Sequence, residues 1–89
     1  MRISVEISMY PLSEQYIDPI LGFIEDLNSC KKNTTIIKTN GMSTQIFGDY
    51  DDVQSLLSLT MKNAMTRNPK VVFATKFLNT DVSEYSNHE

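Results

Sequence analysis

The chain reads as an α+β domain of the ferredoxin-like βαββαβ plait, a four-stranded antiparallel sheet with two helices on one face. Three observations predict it. Along the 89 residues the stretches read strand, helix, strand, strand, helix, strand. Asn40-Gly41 lies between two strand-like runs, the strongest short hairpin signal. Each helical stretch carries a single apolar stripe, so both can share one face of one sheet. The usual strand order of such a plait, 4-1-3-2, sets the first and third strands side by side in the centre.

The elements follow in order. Residues 2–10, RISVEISMY, alternate: Ile3, Val5, Ile7 and Met9 point one way, and Ser4, Glu6, Ser8 and Tyr10 the other. Pro11 ends the strand. Residues 14–29 place Ile17, Ile20, Leu21, Ile24 and Leu27 on one stripe, with Ser13 as the N-cap. Pro19 removes a helical donor, so the regular helix is expected to begin at Ile17 or Asp18 after a looser turn. Asn28 and Ser29 mark its end. Residues 34–39, TTIIKT, are a β-branched strand, and 42–48, MSTQIFG, return from the turn. A two-residue Asn-Gly turn requires positive φ at both centres. Gly48 marks a bulge or a close backbone approach.

Asp49, Asp51 and Asp52 stand where a helix dipole favours negative charge, and Asp51 is the expected cap. Without a histidine or further carboxylate at ligand spacing, they read as a helix start and not a metal site. Val53, Leu56, Leu57, Thr60, Met61 and Ala64 share one face, and Arg67 with Asn68-Pro69 closes the helix. Residues 70–79, KVVFATKFLN, are the last strand, with both parities largely apolar. Residues 1–80 thus form one domain, and 81–89 a polar C-terminal tail expected to fray.

Composition narrows the function. Net charge is −3, from 8 basic and 11 acidic residues, which argues against non-specific nucleic-acid binding. An RNA-recognition module shares the topology but wants aromatics on both central strands and a basic surround; here Tyr10 and Phe47 stand alone. The one cysteine, Cys30, forbids an internal disulfide and fits a reducing, cytoplasmic setting. As a helix-end residue it needs no further role. The N-terminus lacks the apolar core of a signal peptide, and no run approaches the roughly 18 apolar residues of a membrane span.

The stretch Ser43-Thr44-Gln45 is polar where a core strand would use Val and Ile. The third strand neighbours the first, so alternate members join Glu6 on the face away from the helices. Either Ser43 and Gln45 or Thr44 does so. A carboxylate there, with hydroxyls and an amide around it, makes a polar open face. Ser4, Ser8, Tyr10, Ser43, Thr44, Gln45 and Phe47 are the candidate residues around Glu6, and composition and spacing stop at that polar face. Met9, Met42, Met61 and Met65 read as core filler, Lys76 as a solvated strand residue, and His88 as an inert tail residue.

Three segments resemble the YkoF-like thiamine-binding family: ISVEISMYPL at 3–12, TNGMSTQIFGDYDDV at 39–53 and VVFATKFLN at 71–79. The resemblance implies non-enzymatic binding of thiamine or its hydroxymethylpyrimidine moiety, in vitamin B1 salvage or transport, with no cofactor. It also implies self-association, as a homodimer or homotetramer through the sheet, because some members carry two plaits in tandem. The cationic thiazolium would suit an acidic aromatic site. Toward the aminopyrimidine, Glu6 would accept from the amine, Ser4, Ser8, Ser43, Thr44 and Gln45 would pair with ring nitrogens, and Tyr10 or Phe47 would stack on the ring, as they would with other flat polar heterocycles. Two other readings compete. One is a small dimeric α+β barrel enzyme of monooxygenase type, against which the chain offers only His88 and no paired nucleophile. The other is an oligomeric domain whose polar sheet face is only a subunit interface.

Overall fold

A computed structural model describes residues 1–85. The first strand, β1 (Arg2–Pro11), is the spine of the sheet. Its odd residues Ile3, Val5, Ile7 and Met9 are buried in the core. Helix α1 (Ile17–Cys30) follows, then β2 (Ile36–Thr39), β3 (Thr44–Asp49), α2 (Tyr50–Arg67) and β4 (Val71–Leu78). The sheet order is β2-β3-β1-β4, and β1 runs antiparallel to both neighbours. This is the ferredoxin-like plait, with β1 and β3 central. Among the described residues, no helix is long and apolar enough to cross a membrane.

Helix α1 begins at Ile17, so Pro19 falls in the first turn, where a backbone N–H lacks an intrahelical partner anyway. Tyr16 is the N-cap and makes no side-chain cap bond. Ser13 does not cap the helix; its hydroxyl donates to the Gln15 carbonyl at 3.0 Å. The helix also outruns Ser29 and ends at Cys30, which is exposed. Its buried line differs from the expected stripe. Phe23 and Leu27 are buried, whereas Ile17 and Leu21 are more than half exposed. The reason is aromatic: Phe23 packs on Phe73 of β4, with ring centroids 5.0 Å apart at 55°. That contact turns the helix so that the line Ile20–Phe23–Leu27 meets the sheet.

Helix α2 buries Val53, Leu56, Leu57, Thr60 and Ala64, with Met61 partly covered. Its cap is Asp49 and not Asp51: the Asp49 carboxylate accepts from the Asp51 N–H at 3.2 Å. Gly48 is a close approach. A Cβ there would lie 3.0 Å from Thr35 Oγ1 and 3.2 Å from Val53 Cγ2. Of the methionines, Met9 is core, but Met42 and Met65 are exposed, since each lies outside the buried faces.

The β2–β3 hairpin closes by a different device from the two-residue turn. No positive φ occurs among the described residues. The Asn40 side chain instead accepts from the N–H groups of Met42, at 2.8 Å, and Ser43, at 3.0 Å. This side-chain turn supplies the acceptor that a tighter backbone turn would have provided. Thr39 and Thr44 then become the last ladder pair. The shorter β3 begins at Thr44, two places later than the return strand the sequence suggested.

Candidate functional site: the open face of the sheet

Register decides which side chains meet. Gln45 pairs with Glu6 and Phe47 with Ser4, whereas Thr44 pairs with the core residue Ile7. Directly paired residues share a face, so Ser43, Gln45 and Phe47 join Glu6 on the open face, and Thr44 turns to the helix side. On β4 the parity is settled likewise: Lys76 pairs with Glu6 and Leu78 with Ser4. On β2, Lys38 pairs with Gln45. A transverse polar row, Lys38–Gln45–Glu6–Lys76, therefore crosses all four strands.

Glu6 is the centre of this row. Its Oε2 accepts from the Ser43 hydroxyl at 2.9 Å, and its Oε1 faces Lys76 Nζ at 3.6 Å. The Glu6 side chain is 41% exposed and that of Lys76 is 86% exposed. A pair this wet contributes only up to ~1 kcal/mol. The carboxylate thus remains open to a further donor. Lys38 leans inward from the other edge. Its Nζ lies 5.5 Å from the centroid of the Phe47 ring and donates to the Ser83 carbonyl at 2.8 Å.

Residues 79–85 fold back over one end of this face. Ser4 organises the return: its hydroxyl donates to the Thr80 carbonyl at 2.6 Å and accepts from the Val82 N–H at 2.9 Å. Arg2 pairs with Asp81 at 2.6 Å. Asp81 also accepts from the Ser83 N–H at 2.9 Å. The Ser83 hydroxyl and amide, with Arg2, hold the Asp81 carboxyl at about 2, below its ordinary value. Val82 and Tyr85 thereby become one wall of a cavity of about 490 Å³, whose floor includes Glu6, Gln45, Phe47 and Lys38.

The eight residues singled out from the sequence separate into two groups. Ser4, Glu6, Gln45 and Phe47 line the open-face cavity. Ser8, Tyr10, Ser43 and Thr44 line a second cavity, of about 470 Å³, at the end of the sheet beside α1. There Ser8 donates to the Met42 carbonyl at 3.4 Å, and Thr44 meets Thr39 hydroxyl to hydroxyl at 3.3 Å. The Ser43–Glu6 bond joins the two cavities. Sequence reasoning missed Lys38, Val82 and Tyr85. Alternation through Ile36 and Lys38 carried a signal for the first; the tail carries no periodic pattern at all. His88 lies outside the described residues. No cluster that could hold a metal ion occurs among the described residues.

A ferredoxin-like plait with a polar, partly roofed sheet face is thus the class defined by fold and site. The chain belongs to the YKOF-related family, whose sequence model matches residues 2–80. Solved structures share the fold at low identity. Protein SP2199 of Streptococcus pneumoniae superposes with a TM-score of 0.82 at 17% identity, over 96% of this chain and 93% of that one. TM0486 of Thermotoga maritima, described as a thiamine biosynthesis/salvage candidate, gives 0.78 at 13% identity, over 90% and 85%. The hypothetical protein MJ1052 of Methanocaldococcus jannascii gives 0.75 at 20% identity, over 96% and 87%. No functionally curated protein matches the sequence.

Proposed function

We propose that this protein binds thiamine or its hydroxymethylpyrimidine moiety without catalysis, as a carrier in cytoplasmic vitamin B1 salvage or transport. The observation that carries the proposal is the open-face cavity with a half-open carboxylate at its centre. An aminopyrimidine presents an exocyclic amine to Glu6 and ring nitrogens to the Gln45 amide, above a floor formed by the buried Phe47 ring. Family membership and the description of TM0486 support the choice among flat heterocycles.

Calorimetric titration with thiamine and with hydroxymethylpyrimidine tests it. Binding of either, abolished or weakened roughly tenfold or more in Glu6→Ala, is the expected result, since a hydrogen bond to a charged group contributes about 1.5–3 kcal/mol. No heat with either ligand would end the proposal.

A second reading is favoured by the apolar rim of the same face. Ile36, Val72 and Leu78 are 40%, 48% and 46% exposed. That rim suits a second copy of the chain, giving a dimer or tetramer through the sheet. Glu6→Ala separates the two readings. Loss of ligand with an unchanged sedimentation profile supports a pocket; loss of assembly alone supports an interface.

A further inference from the structure

The charge lining the open-face cavity is opposite in sign to that of the whole chain. The chain carries −3. The cavity is lined by two ammonium groups, Lys38 and Lys76, and one carboxylate, Glu6. Both lysines stand on the outer strands, yet both lean toward the central pair: Lys76 reaches Glu6 on β1, and Lys38 reaches over Phe47 on β3. Their positions in the sheet are equivalent, but their partners are not. Lys76 has a carboxylate. Lys38 has a ring face and a backbone carbonyl, and among the described residues no carboxylate pairs with it. Lys38 is exposed at the rim of the cavity and spends one of its three N–H donors on the Ser83 carbonyl, which leaves donors for the oxygens of an anion.

Both ends of the row are ammonium groups, but only Lys38 lacks a carboxylate partner among the described residues. Glu6, inside the row, accepts hydrogen bonds, and Lys38 donates them. Gln45 lies between and can do either. The backbones carrying Glu6 and Lys38 are two strand spacings apart, about 10 Å. Both side chains are long and reach into the space between. A small ring carrying an amine on one side and an anionic group on the other fits that gap.

Resting on the reading of this cavity as an aminopyrimidine site, we propose that its preferred ligand is a phosphate monoester of the aminopyrimidine alcohol. Lys38 holds the phosphate and Glu6 the amine. Lys38 is then the residue that sets the phosphorylation state recognised, and Tyr85 and Val82 roof the bound ring.

The test is a calorimetric comparison of hydroxymethylpyrimidine with its phosphate monoester, on wild type, Lys38→Gln and Lys38→Arg, at low and high salt. The expected result is about tenfold tighter binding of the ester by wild type, a difference of one charge-assisted hydrogen bond. That preference should vanish in Lys38→Gln, persist in Lys38→Arg and shrink with added salt. Because Lys38 also ties the Ser83 carbonyl and lines the cavity, each protein's ester affinity is read as a ratio to its own affinity for the uncharged alcohol. Equal binding of ester and alcohol by wild type would overturn the inference while leaving the binding site intact. A preference that survives in Lys38→Gln would overturn the role of Lys38. Failure of both ligands to bind would remove the site reading, and the inference with it.

Discussion

Glu6 and Gly48 show how single positions divide the labour of one sheet. Glu6 sits opposite Gln45 on one side and Lys76 on the other, so its carboxylate is neutralised only in part and by wet partners. A buried carboxylate in this place would need full pairing, at a cost of several kcal/mol for any missing partner. Its half-open setting leaves it accessible to a further hydrogen-bond donor. Gly48 works on the opposite face. A methyl group there would press on Thr35 and on Val53 of α2. Gly48→Ala should therefore destabilise the fold by about 1–3 kcal/mol, as overpacking does. Urea unfolding checks it, with an unchanged m-value if only packing is affected.

At the scale of elements, the hairpin links backbone geometry to the site. Asn40 ties the turn through its side chain and thereby fixes where β3 begins. That register puts Ser43 within 2.9 Å of Glu6. Asn40→Ala removes the acceptor for two N–H groups, which should cost about 1 kcal/mol and loosen Ser43. The expected outcome is a small fall in Tm together with weaker ligand binding; an unchanged affinity would show that Ser43 plays no part. The same hairpin shows what was readable in advance. Alternation in β1 gave its two faces directly, because period two survives any detail of the turn. The parity of β3 did not follow, since it depends on how many residues the turn consumes. The stripe of α1 was misread for a related reason. Phe23 belongs to it only because Phe73, fifty residues on, supplies the opposing ring. The C-terminal return was invisible, as it is held by backbone groups of Thr80, Val82 and Ser83 that no sequence pattern marks.

For the whole molecule, that return joins the end of the fold to its beginning and roofs the cavity. Arg2 and Ser83 both hold Asp81, whose carboxyl is lowered from 3.8 to about 2. A lowered carboxyl stabilises the closed form fully above its ordinary value and loses that contribution as pH falls through about 2. The closure should thus be complete at neutral pH and weaken between about pH 4 and 2. The Ser83 amide resonance, followed by NMR over that range, should move with the Asp81 titration. A Ser83 amide insensitive to pH would show that the return is held by Ser4 and Lys38 alone. Closure also bears on assembly, because a second sheet stacked on this face would have to accommodate Val82 and Tyr85.

The claim on which the rest depends is that ligand recognition takes place on the sheet face away from the helices. Mapping amide shifts on addition of hydroxymethylpyrimidine tests it most directly. The account predicts perturbation concentrated at Glu6, Gln45, Phe47 and Lys38, with Val82 and Tyr85 following. Perturbation confined to Tyr16, Ile20 and Ile24 beside the second cavity, or none anywhere, would contradict it.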